Sequence, residues 1–80
     1  MGMKGLRNGI FAQGFAPNRI ETATTLTTTD VLAIRISAST SYTINGAGTT
    51  ATMPAGITVI NEGVTSIVFS GSTVVEVMDA

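Results

Sequence analysis

The chain has no cysteine, no histidine and no tryptophan. Without cysteine there is no disulfide scaffold, and without either Cys or His there is no zinc module of the usual kind. The same two absences remove the imidazole base, the thiolate nucleophile and the Ser-His-Asp arrangement. Charge is scarce as well. Asp, Glu, Lys and Arg make up 11% of the residues and the net charge is −1, against roughly 25% charged residues in an average soluble domain. A highly charged disordered chain and a strongly basic nucleic-acid binder are both excluded. No stretch approaches the about 18 apolar residues of a membrane-spanning helix. Lys4 and Arg7 are not followed by the apolar run of a secretory signal. Leu6 stands where a myristoylation signal needs Ser or Thr.

What remains is a chain of 80 residues, 44% hydrophobic, in which threonine is the commonest residue and glycine follows closely. A lone domain of this size buries only about 60–65% of the surface its unfolded chain exposes, so its stability is marginal. Soluble monomers keep a well-charged surface. Here the surface is Thr, Ser, Gly and Asn, which suits a protein packed against others. Oligomerisation is a standard route to a larger core for so short a chain. The expectation is a homo-oligomer.

Charge and composition change together near residue 18. Residues 1–20 hold Lys4, Arg7 and Arg19 and no acid, whereas from Glu21 onward five acids face the single base Arg35. Met1–Asn18 carries two of the three phenylalanines and no threonine. We read residues 1–18 as an N-terminal arm and residues 19–80 as a compact β domain. Gly5, Gly9 and Gly14 interrupt any helical reading of the arm, at about 1 kcal/mol each. Phe11 and Phe15 need burial, either on their own domain or on a neighbouring subunit whose acidic surface would meet Lys4, Arg7 and Arg19. These five residues, Lys4, Arg7, Phe11, Phe15 and Arg19, are the candidate partner contacts.

The body is rich in Val, Ile and Thr, which suit a pleated, half-buried surface. Val31–Ser37 alternates, with Leu32, Ile34 and Ile36 on one face and Ala33, Arg35 and Ser37 on the other. Tyr42 and Ile44 share a face. Asn45-Gly46 signals a type I′ turn, which needs positive φ at both central residues. Thr49–Met53 and Ile57–Ile60 read as strands around Pro54-Ala55-Gly56, and Asn61-Glu62-Gly63 as a turn. Ser66–Ser70 and Thr73–Met78 read as a hairpin about Gly71-Ser72. Thr22–Thr27 adds a further strand. The fold class is all-β: a small antiparallel β-sandwich or barrel of about six or seven short strands with an extended N-terminal arm. Such a meander leaves edges open to pairing unless copies associate.

Residues that could carry chemistry are few. The five acids fall on turns and strand ends, as solvated surface charge does, so no catalytic pair is assigned and no enzyme is expected. Gly46-Ala47-Gly48-Thr49-Thr50-Ala51 matches a dinucleotide fingerprint literally, but no helix opens after it. No cofactor, metal, small-molecule substrate, specific nucleic acid or membrane is implied. A sugar-binding or adhesion module, with Tyr42 as platform and Asn45 as polar partner, is the reading from another functional class.

Four segments carry a resemblance: Ser41–Gly46, Met53–Ile60, Gly63–Ser70 and Val75–Met78. Together they resemble the small Thr/Gly-rich β proteins of tailed-bacteriophage virions. The resemblance implies a non-enzymatic virion protein, made in the host cytoplasm. Its implied role is capsid decoration (cement): a homo-oligomer, with a trimer favoured, seated on the major capsid or another virion protein and reaching a neighbour with its arm. Collar, tail or fibre components are the alternative within the same group.

Overall fold

The computed structural model describes residues 14–80. Six strands follow in chain order: β1 (Arg19–Thr27), β2 (Val31–Ile36), β3 (Thr40–Ile44), β4 (Ala51–Met53), β5 (Gly56–Val59) and β6 (Ser66–Asp79). All pair antiparallel within one sheet. There is no helix among the described residues, and hence none long and apolar enough to cross a membrane.

Register reduces the six strands to four paths. β6 pairs with β2 through Ile36↔Val75 and with β3 through Tyr42↔Phe69, so β2 and β3 are successive halves of one path along the same side of β6. β5 and β4 are likewise successive halves, pairing through Ile36↔Gly56 and Thr40↔Met53. β1 runs along the other side of β6. The interruptions lie abreast: the β1–β6 register shift between Ala23 and Thr25, whose surplus residues belong to β6, the Ser37–Ser39 break and the Pro54-Ala55 break. Small residues and a proline sit on this line, where ladder bonds are absent and a sheet bends most readily. The sheet curls there into a half-barrel.

Curling brings the concave faces of the two halves together. Ile34, Ile36, Val75 and Val77 from one half meet Leu26, Met53, Ile67 and Phe69 from the other, with Val31 and Ile60 completing the cluster. Each such buried aliphatic or aromatic side chain contributes about 1.5–3 kcal/mol. Tyr42 and Val64 pack on the rim. The one buried polar side chain among the described residues is Thr28, whose hydroxyl donates to the Val64 carbonyl at 2.9 Å.

Two sequence expectations are corrected. Ser66–Ser70 and Thr73–Met78 do not form a hairpin. They are one 14-residue strand, β6, because β1 continues beside both segments and holds them in line. Leu32 does not share the core face of Ile34 and Ile36. A register shift between Val31 and Ala33 turns it to the convex side, where it clusters with Ala33. By contrast, Asn45 and Gly46 have φ of 53° and 72°, and the Ala47 N–H donates to the Ile44 carbonyl, as a type I′ turn requires.

Candidate interaction surface

Alternation along the strands decides which residues face outward. With Val75, Val77, Ile34 and Ile36 committed to the core, Val74, Glu76 and Met78 of β6 point to the convex face, as do Ala33 and Arg35 of β2. Ile20 of β1 and Ile57 of β5 join them through the register. One row crosses the whole convex face: Ile20, Glu76, Arg35, Ile57.

The centre of this row is an ion pair. Arg35 donates from Nε to Glu76 Oε2 at 2.5 Å and from Nη2 to Oε1 at 2.7 Å, a two-pronged geometry that fixes both side chains. The hydrogen bond from Arg35, helped by its charge and opposed by slight burial, holds the Glu76 carboxyl below its usual range. On either side the row ends in exposed aliphatics. Ile20 is 68% exposed and Ile57 52%, and Val74 nearby is 56% exposed. Three large apolar side chains thus stand in solvent on one face of a small domain, which makes this face the candidate interaction surface.

The segment leading into β1 crosses the same face. Phe15 and Met78 both pack against the pair Leu32 and Ala33, and Ala33 has no exposure. The Arg35 guanidinium lies 5.5 Å from the centre of the Phe15 ring, within cation–π range. Asn18 fastens the segment: its N–H donates to the Val77 carbonyl at 2.8 Å and its Oδ1 accepts from the Asp79 N–H at 3.1 Å. Arg19 then donates to Asp79 at 2.7 and 3.0 Å and to Glu21 at 2.6 Å. The Asp79 hydrogen bonds raise the Arg19 pKa further, against a lowering by burial and with help from Glu21.

Of the five partner contacts expected from sequence, Phe15 and Arg19 thus lie together at the start of β1, engaged with their own sheet. Lys4, Arg7 and Phe11 lie outside the described residues. Sequence reasoning missed Ile20, Ile57 and Val74. Period-two alternation identifies the face each shares, yet nothing in a single strand says whether that face is inside or outside.

Tyr42 and Asn45, the two residues considered for sugar binding, both make structural contacts. Tyr42 is half-buried on the core, and Asn45 is bonded to the loop before β6. The crease at the bend, about 270 Å³ and lined by Ser37, Ser39, Thr40, Ser72 and Thr73 among others, holds hydroxyls and no ionisable group. Among the described residues no cluster of three metal-ligating side chains occurs. No protein-family model matches the chain, and no curated protein or solved structure gives a significant match.

Proposed function

We propose that this chain is a non-enzymatic structural protein of a tailed-phage particle, a capsid decoration protein that acts as a homo-oligomer, with a trimer favoured. The observation that carries the reading is the convex face: Ile20, Val74 and Ile57 in solvent around a neutralised Arg35–Glu76 pair. A surface that carries exposed aliphatics and whose central charges are already paired is suited to burial against protein, because no unpaired charge is desolvated.

Each copy supplies a rigid curled sheet. Copies associate through their neutral faces and strand edges. Lys4, Arg7 and Phe11, upstream of Gly14, reach a neighbouring subunit or the shell, where the excess of acids over bases in residues 21–80 favours the basic arm. A collar, tail or fibre position would use the same surface.

Quantitative mass spectrometry of tailed particles purified from cells that produce this chain tests the reading. The expected result is the chain at a fixed ratio to the major capsid protein, with shells lacking it less resistant to heat. Recovery only in the particle-free fraction would refute it.

A further inference from the structure

The sheet ends in two edges that match each other. Its four paths alternate in direction, so the outermost two, β1 and β4–β5, run opposite ways. Among the described residues β1 pairs only with β6, β4 only with β3 and β5 only with β2. If identical copies stand side by side in one orientation, β1 of one lies antiparallel to β4–β5 of the next, and the alternation continues unbroken.

The two edges also agree in length and in the place of their irregularity. β1 covers nine residues, and β4–β5 spans nine from Ala51 to Val59. Each has an irregularity near its middle: the alternation of β1 slips at Thr24–Thr25, beside its register shift with β6, and Pro54-Ala55 separates β4 from β5. Extending the row Ile20–Glu76–Arg35–Ile57 across the gap sets Ile57 beside Ile20 of the next copy. The same register sets Pro54 opposite Ala23 and Met53 opposite Thr24. The missing proline N–H then falls beside the irregular middle of β1, on an edge strand, where proline is tolerated. One register therefore satisfies two independent demands: aligned irregularities, and mutual cover for the two most exposed isoleucines on the edges.

Charge agrees. β4 and β5 carry none, and the charges of β1 are spent within their own chain, Arg19 on Glu21 and Asp79. No unpaired ion is buried by the contact.

We propose that copies of this chain join head to tail, β1 of one pairing antiparallel with β4–β5 of the next, with Ile20 against Ile57. The occupant of each edge is a second copy. The inference rests on the assembly reading above and names its contact. A head-to-tail contact is heterologous, so it closes into a ring when the rotation per copy allows and otherwise extends.

The chain has no cysteine of its own, so introduced thiols report without background. Ile20→Cys and Ile57→Cys variants, each checked for the native circular-dichroism spectrum, are mixed in equal amounts and oxidised gently with copper phenanthroline in air. Directly opposed residues on paired strands bring their Cβ atoms about 4.5–5.5 Å apart, close to disulfide range. The expected product is the mixed Ile20→Cys/Ile57→Cys dimer, well above the half that random pairing gives. The double variant should yield a covalent ladder that stops at the ring size. Links chiefly between like variants, an intramolecular link in the double variant, or no link would each overturn the edge pairing. The solution mass of the unmodified chain separates the two levels. An oligomer without the mixed link refutes this contact and leaves assembly standing, whereas a monomer without it refutes both.

Discussion

The side-chain oxygen of Asn45 accepts from both the backbone N–H and the hydroxyl of Thr65, at 2.8 and 3.1 Å. It also accepts from the Ser66 N–H at 3.1 Å, while its amide nitrogen donates to the Gly63 carbonyl at 2.9 Å. A turn residue thereby stitches the end of β3 to the start of β6. Asn is one of the few residues that does this at positive φ, since its short polar side chain offsets the left-handed strain. Replacement separates the two roles. Asn45→Gly keeps the φ and loses the side-chain bonds; Asn45→Ala loses both. We expect destabilisation of about 1–2 kcal/mol for Asn45→Gly and about 1–2 kcal/mol more for Asn45→Ala. Urea unfolding of the three proteins reads this order, and equal midpoints for Gly and Ala would show that φ plays no part.

Gly56 and Gly71 make a second contrast. Gly56 has φ +113° at the start of β5, whereas Gly71 lies inside β6 without a positive φ, and open space surrounds the position a Cβ would take. Gly71→Ala is expected to be neutral or to stabilise by about 0.4–1 kcal/mol through the unfolded chain. Gly56→Ala is expected to cost at least about 1–3 kcal/mol in backbone strain. Thermal melting of both variants checks the sign. A loss at Gly71 comparable to that at Gly56 would contradict the continuous strand.

The Arg35–Glu76 pair predicts a pH effect of definite sign. Glu76 is held below its usual value of about 4.5 in the folded chain, first by the Arg35 hydrogen bond. A carboxyl with a depressed folded pKa stabilises the fold above its unfolded pKa and loses that contribution as pH falls through the folded value. The stability difference between the natural chain and Glu76→Gln should therefore shrink below about pH 4.5. It should be smaller in high salt, because the pair is solvent-exposed. A carbon-detected NMR titration of Glu76 gives the direct readout. A midpoint above 4.5 would remove the basis of this prediction.

Two truncations divide the N-terminal segment by role. Phe15 packs against Leu32 and Ala33 of its own sheet, so deleting residues 2–16 should cost about 1–2 kcal/mol of stability as well as association, by loss of a half-buried aromatic. Deleting residues 2–13 spares Phe15 and should lower association alone. Chemical denaturation measures the first effect and sedimentation velocity the second. If the shorter deletion assembles as the full chain does, the arm has no partner role.

Much of the fold was legible in the sequence because β-branched residues alternate with period two. Tyr42/Ile44, Ile67/Phe69 and Val75/Val77 each share a face as the pattern implies. Asn45-Gly46 announced its turn because only a few residue types tolerate φ near +60° twice in succession. Leu32 misled because a bulge adds a residue to one strand and reverses the alternation locally, and nothing in Val31–Ile36 marks it. Gly71-Ser72 misled for a related reason. A glycine–serine dipeptide suits both a tight turn and a bend within a strand, and only the long-range pairing with β1 decides between them. The exposed face was hidden because inside and outside are properties of the whole curled sheet, fixed by which strands stand opposite one another.

The proposed function requires that copies of this chain complete one another. Sedimentation equilibrium of the 80-residue chain at micromolar concentration measures that directly. We expect a species whose mass is a whole multiple of the 8.2 kDa chain, three-fold favoured, that falls to the single-chain mass when Ile20 and Ile57 are both changed to Lys. A stable 8.2 kDa particle across the whole concentration range would contradict it.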